Sequence, residues 1–321
     1  MTTSKAPRIL SDVIAVQLNF SIWTGRKKLA DSDLSISGER PPKEVVNLGS
    51  KHTTDPKALN VFSTLKRQAE RLCLSVGIPF LGGYAIPTDK ADDIAKKLAV
   101  IIDQFETEKA NYLLRHDSIQ DDWIQKFPAY ESILRQALTP TEEVEKRITA
   151  AYSMFQVQSA QGVVTAADTG LDNQVDGLTQ TLDEDILKNS RQLLKSLTGA
   201  IHPNQTNVRG LKSLREKIDG LAFLDSRFNT LVSEIQAIEA QMPTSGKLET
   251  AEVNILSGLL YRMSDETKLA ALMGSLQQPV VLTPTPSVST ATTMPLSDSD
   301  FDFDFDSSSQ SLNPAENSTF F

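Results

Sequence analysis

The chain has a single cysteine, Cys73, in 321 residues. No internal disulfide can form, and no Cys pair exists to open a zinc site. Cys73 is expected on the buried face of a helix, acting as a small apolar residue. Aromatic residues make up only 6% of the chain. That scarcity suits helices packed by Leu, Ile and Ala better than a β-sandwich. Long apolar runs are also missing. The densest stretch is Leu98 to Ile102, far short of the ~20 residues a membrane span needs. The segment Met1 to Arg8 is polar and leads into alternation rather than an apolar block, so no secretory signal is expected. The expectation is a cytoplasmic chain with no membrane partner.

Basic charge is absent from the end of the chain. All 32 Lys and Arg lie at or before Lys268, whereas six of the 41 acids follow it: Asp298, Asp300, Asp302, Asp304, Asp306 and Glu316. The body is close to neutral and the tail is anionic, a balance that does not favour general affinity for duplex nucleic acid.

Catalytic signatures are missing too. Gly77 and Gly82 have the glycine spacing of a phosphate-binding loop, but Gly83 and Tyr84 stand where Lys and Ser/Thr belong. The three histidines, His52, His116 and His202, are far apart, and no His-Glu-x-x-His or Glu-x-x-His is present. No Gly-x-Ser-x-Gly elbow occurs. Adjacent acids such as Asp121-Asp122 and Glu142-Glu143 read as helix-start charges that complement the dipole. No catalytic, cofactor-binding or metal-ligating residue is assigned, and no cofactor is expected.

What is present is periodicity. Ten apolar residues recur at steps of three and four: Leu211, Leu214, Ile218, Leu221, Leu224, Phe228, Leu231, Ile235, Ile238 and Met242. One extra step of three falls between Leu221 and Leu224. Only a helix puts such residues on one face, and a stripe this long needs partner helices. One rod of about 50 Å would carry it. The stripe is expected to close within the chain, against a helix at 88–116, with pairing of two chains as the alternative. Gly220 lies inside the stripe and Gly210 just before it; each should weaken the helix by about 1 kcal/mol relative to Ala.

Other elements follow from local signals. Val16 to Ile22 alternates apolar and polar, the period of a strand with one buried face. Arg26, Lys27 and Lys28 follow it and read as a solvated turn or as a nucleic-acid contact. Asp31 to Pro42 reads as a loop, and Val45, Val46 and Leu48 as a second short strand. Asp55 and Pro56 open a helix that Gly77 stops, with Val61, Phe62, Leu65, Ala69, Leu72 and Val76 inward. The segment Gly77 to Pro87 reads as an apolar loop. Its Phe80, Leu81 and Tyr84 either pack into the core or meet a protein partner. Thr88 is expected to cap a helix running to about His116, and Ser118 to Phe127 to form a short one. Thr139-Pro140-Thr141-Glu142 reads as a capping box opening a helix through Val144, Ile148, Tyr152 and Phe155. Ser159 to Gly177 reads as a linker, Leu182 to Leu197 as a helix, and Glu249 to Leu276 as a helical hairpin or one kinked helix. From Gln278 the chain is rich in Pro, Ser and Thr and reads as a disordered acidic tail. In it, Phe301, Phe303 and Phe305 alternate with Asp, and Phe320 and Phe321 close the chain. These five rings either dock on a partner or belong to a tail that only solubilises.

The N-terminal half resembles the DUF3150 family of bacterial and phage proteins, a domain of unknown function. The resemblance rests on Ile22-Trp-Thr-Gly-Arg-Lys-Lys-Leu29, Asn47-Leu-Gly-Ser-Lys51, Asp55-Pro56, Gly77-Ile-Pro-Phe-Leu-Gly-Gly-Tyr-Ala-Ile-Pro87 and Asp122-Trp123. It covers roughly residues 10 to 160. The family brings no established reaction. Its members occur in mobile elements and phages, near genes for a MoxR-type AAA ATPase and a von Willebrand A-domain protein. The resemblance implies an adaptor or substrate-engaging part of an ATPase-driven remodelling system in a bacterial or phage-infected cell.

The expected fold is mainly α, with long antiparallel helices in a coiled-coil-like bundle, a small N-terminal β-element and a disordered acidic C-terminal tail. The expected segments are a β-element and loop at 1–54, a helical core at 55–158, a linker at 159–180, a long-helix region at 181–277 and the tail at 278–321. The leading functional expectation is a non-catalytic scaffold or adaptor with protein partners, and self-association is allowed. The alternatives are a nucleic-acid-associated factor in recombination or defence, using Arg26, Lys27 and Lys28, and an unrecognised hydrolase.

Overall fold

The computed structural model describes residues 6–29, 49–158, 165–200 and 203–274. The chain is mainly helical and is built around a four-stranded antiparallel sheet. A short helix α1 (Ala6–Ser11) leads into β1 (Val13–Ser21), followed by β2 (Arg26–Lys28) and β3 (Ser50–His52). Asp55 accepts a hydrogen bond from the Lys57 backbone N–H at 2.9 Å and opens a 3-10 turn at Pro56–Leu59, which continues as α2 (Asn60–Val76). Gly77 ends α2, as its position predicts.

The segment after Gly77 is regular, which corrects the expected loop. β4 (Ile78–Phe80) and β5 (Gly83–Pro87) form a hairpin around Leu81 (φ 48°) and Gly82 (φ 76°). Two central residues at positive φ match the twist of hairpin strands. Gly83 is demanded by packing, because a Cβ there would lie 2.2 Å from the Val16 carbonyl oxygen.

α3 (Ala91–Gln125) follows a 3-10 turn at Thr88–Lys90, where Thr88 makes no side-chain cap, and it absorbs the separate helix expected at 118–127. After α4 (Glu131–Arg135), α5 (Thr141–Arg147) begins behind Pro140 with no side-chain cap. The Thr139 hydroxyl is instead buried without a partner, so the expected capping box does not form. The chain then turns to β6 (Thr149–Phe155) rather than continuing as a helix. The sheet order is β4-β5-β1-β6. The register runs Val13↔Pro87 to Val16↔Tyr84 on one side of β1 and Ala15↔Phe155 to Ser21↔Thr149 on the other. The β-element is therefore not confined to residues 1–54. A separate ribbon pairs β2 with β3. Of the second strand expected at Val45 to Leu48, and of the loop before it, all lies outside the described residues.

One sheet face carries Ile14, Val16, Leu18, Tyr84, Ile86, Tyr152 and Met154 against α2 and α3, with Ala69, Cys73, Ile94 and Leu98. Beyond it, Trp23, Phe62, Phe105 and Tyr112 form a second cluster with Val144 and Ile148. Among the described residues the other face is covered at one end, where Val13, Ile78, Phe80 and Ala85 join the third and largest cluster.

That third cluster is made by the C-terminal helices. α6 (Thr165–Thr198) is 34 residues long. The linker expected at 159–180 is thus helical from Thr165, and residues 159–164 lie outside the described residues. Val175, Leu178, Leu182 and Ile186 explain the extension, since they repeat at helical spacing and are buried. The ten-residue stripe is buried apart from the half-buried Ile238, but it is not one rod. α7 (Gln205–Gly220) ends, a 3-10 turn spans Ala222–Leu224, and α8 (Arg227–Glu239) folds back on α7. The break falls at the extra step of three, where Asp225 is extended. α7 packs on α2 and α6 rather than on the helix expected at 88–116. α9 (Thr250–Met263) and α10 (Glu266–Gly274), two helices in contact where a hairpin or one kinked helix is expected, complete the cluster. The tail from Gln278 lies outside the described residues.

Candidate functional site

The C-terminus of α2, the middle of α6 and the second half of α7 converge on one side chain. Lys217 is only 6% exposed. Its ammonium donates to the Leu74 carbonyl oxygen at 2.7 Å and to Asp185 Oδ2 at 2.8 Å. Leu74 lies in the last turn of α2, where carbonyls lack intrahelical donors and the helix dipole favours a cation. Asp185 balances the charge from α6, which offsets the cost of burying it. Two of the three ammonium donors are used by these contacts.

Two open grooves meet over this ion pair. The first, about 650 Å³, is lined by Ser75, Pro87, Asp89, Lys90, Ser213, Glu216, Lys217 and Asp219. The second, about 450 Å³, is lined by Ser75, Asp185, Lys188, Asn189, Gln192, Ser196, Ser213 and Lys217. Ser75, Ser213 and Lys217 belong to both. At Gly210 a Cβ would lie 2.5 Å from Leu193 Cδ2, so the end of that half-buried side chain occupies the space the glycine leaves. The weakening expected from a glycine in α7 thus accompanies a packing role. The lining mixes hydroxyls, side-chain amides and charges with apolar side chains, Val76 and Pro87 in the first groove and Leu74, Leu193 and Leu214 in the second. Such a surface can hold the backbone and polar side chains of an extended segment.

The residues singled out from the sequence have varied placements. Phe80 is 4% exposed and part of the core, so it is not available to a partner. Leu81, at the hairpin tip, is 48% exposed, and Tyr84 is half-buried against the sheet. Lys27 donates to the Leu138 carbonyl oxygen at 3.1 Å and is half-buried. Arg26 and Lys28 are exposed at alternate positions of β2. None of these joins the Lys217 grooves. Phe301, Phe303, Phe305, Phe320 and Phe321 lie outside the described residues. Cys73 is fully buried, as expected, and burial pushes its thiol up to about 12. Among the described residues no group of three or more His, Cys, Asp or Glu could hold a metal ion, and no helix is long and apolar enough to cross a membrane.

Sequence reading passed over Lys217 because a lysine on a long helix is normally a solvated charge. The signal was its spacing. Lys217 stands three residues after Leu214 and four before Leu221, which places it on the flank of the buried stripe.

The family model described as Protein of unknown function (DUF3150) matches residues 10–265. The chain belongs to that family. The match extends well past the N-terminal half and takes in α6 to α9, so the whole Lys217 junction is part of the DUF3150 unit. No curated protein and no solved structure matches the chain.

Proposed function

We propose that this DUF3150 chain is a non-catalytic scaffold or adaptor that holds a polar segment of a protein partner in the grooves over Lys217. The observation that carries this reading is the paired groove itself. Its hydroxyls, amides and mixed charges suit hydrogen bonding to a peptide, and its floor is held rigid by an ion pair between helices. In this reading the partner belongs to an ATPase-driven remodelling system of a bacterial mobile element or phage. The first candidates are a MoxR-type AAA ATPase and a von Willebrand A-domain protein.

The test is co-purification of the full-length chain with those two proteins from the same element. Ser213 is exposed and lines both grooves, so Ser213→Trp should fill them without disturbing the core. The native chain should retain one of the proteins and the Ser213→Trp chain should lose it. A version ending at Gln277 separates the groove from the tail and should still bind. If the native chain retains neither protein, the adaptor reading fails.

A second reading rests on Arg26 and Lys28, exposed on the same side of β2. It is contact with nucleic acid, for which binding must fall with rising salt. A flat salt response removes it.

A further inference from the structure

β6 is an edge strand. It pairs with β1 on one side, and no strand pairs with its other side among the described residues. None of its seven residues is buried; the pattern alternates exposed and half-buried from Thr149 to Phe155. Its sequence, Thr-Ala-Ala-Tyr-Ser-Met-Phe, contains no charge, no proline and no glycine. Edge strands are normally blunted by lysine, proline, a bulge or a covering element. β6 has none of the first two, and its register with β1 is unbroken over all seven residues.

Among the described residues the outward face also lacks cover. On the outward face, Gln17, Asn19 and Ser21 of β1 are exposed beside Thr149, Ala151 and Ser153. Phe155 at the strand's end is 44% exposed. The inward face is anchored, since the Tyr152 hydroxyl donates to the Ala95 carbonyl oxygen on α3 at 3.2 Å. The strand is therefore held flat against α3 while its free edge faces outward. α3 itself leaves Leu114 86% and Val100 55% exposed.

We propose that the free edge of β6 pairs antiparallel with β6 of a second copy of this chain, around a two-fold axis at Tyr152. A second copy is favoured over other strands because β6 is complementary to itself. An axis at Tyr152, the centre of the strand, pairs all seven residues: Thr149 with Phe155, Ala150 with Met154, and Ala151 with Ser153 of the partner. No like charges meet; Thr149 and Ala150 face the larger Phe155 and Met154, the small Ala151 and Ser153 face each other, and Tyr152 meets its own copy on the axis as an aromatic pair. The product is a continuous eight-stranded sheet, β4-β5-β1-β6 followed by its two-fold copy, and a two-fold contact closes without leaving a new edge. One seven-residue strand from each copy is a small contact, at the end of the size range below roughly 1,200 Å² in total. The dimer accordingly exchanges with monomer and depends on concentration.

The test is light scattering of the full chain from about 1 to about 100 μM, where a weak contact of this kind changes its population. A rise from monomer to dimer mass is expected. Ala151→Asp with Ser153→Asp sets two like-charge pairs across the axis and should weaken association at least about tenfold. Ala151→Lys with Ser153→Asp sets opposite charges across the same axis and should keep the dimer. Both positions are exposed, and unchanged thermal unfolding of each variant reports that the fold is intact. A native chain that stays monomeric overturns the proposal. So does a dimer that survives the double Asp change, or one that both double variants abolish.

Discussion

The helices from Thr165 to Gly274 and the sheet-centred half before them bury apolar surface in different ways. The helical half is aliphatic, filled by Leu, Ile, Val and Met from elements adjacent in sequence, with Phe228 as a fully buried ring. The sheet half is built from distant segments and stacks rings: Phe105 meets Phe20 at 5.6 Å and Phe62 at 5.0 Å, and Trp23 meets His116 edge-on at 5.3 Å. Both halves bury polar groups, Lys217 in the helical one and His116 in the other. The His116 Nε2–H donates to the Thr139 carbonyl oxygen at 2.9 Å, and the Tyr112 hydroxyl lies 3.2 Å from Nδ1. The contrast teaches that the few aromatics of this chain are spent where strands must be joined across long sequence separations. Each ring contributes more contact area there than an aliphatic chain would.

The largest expected effect is in that ring cluster. Phe105→Ala should destabilise the protein by about 3–5 kcal/mol, since the ring is fully buried and its neighbours cannot close the gap. Urea unfolding measures it, and a loss under 1 kcal/mol would break the contrast between the halves. Next is the junction. Lys217→Met leaves Asp185 and the Leu74 carbonyl without their cation. With Asp185 21% exposed, the loss should be about 2–3 kcal/mol, short of a fully buried pair. A variant as stable as the native chain would mean that the ion pair does not hold the halves together.

A pair of glycines sharpens the comparison through opposite signs. Gly83→Ala drives a Cβ into the Val16 carbonyl and should cost about 1–3 kcal/mol. Gly177→Ala, inside α6 with open space around it, should add about 0.5–1 kcal/mol through helix propensity. Thermal unfolding of the two single variants compares them directly. An effect of similar size, but dependent on pH, is at Asp55, whose carboxyl is held below its usual range by the Lys57 backbone N–H and by Lys126. Its stabilisation is present above the ordinary aspartate value of about 3.9 and is lost as pH falls below it. Asp55→Ala should therefore cost about 1 kcal/mol at neutral pH and little in acid. A stability difference that persists at pH 2 would contradict the cap.

Many of the helices were legible in both halves. The burial of the stripe from Leu211 to Met242, the start at Asp55-Pro56, the stop at Gly77 and the burial of Cys73 are local signals, and each holds. The strands were less legible. The spacing Val144, Ile148, Tyr152, Phe155 matches a helix, yet Ala150, Tyr152 and Met154 alternate inward as a strand. Both periods fit the segment, and pairing with β1 selects one of them. The grooves were not legible, because their lining comes from α2, the end of β5, the turn before α3, α6 and α7, and each polar lining residue alone resembles surface.

Composition and periodicity dictate a mainly helical chain with a buried aliphatic stripe, because a run of Leu and Ile at steps of three and four has no other way to leave water. The order β4-β5-β1-β6, the folding of the stripe into α7 and α8, and the burial of Lys217 came from the assembled molecule. Their contacts join distant residues, as with Lys217 and Leu74, 143 positions apart. A local pattern carries no record of which distant surface a residue will meet.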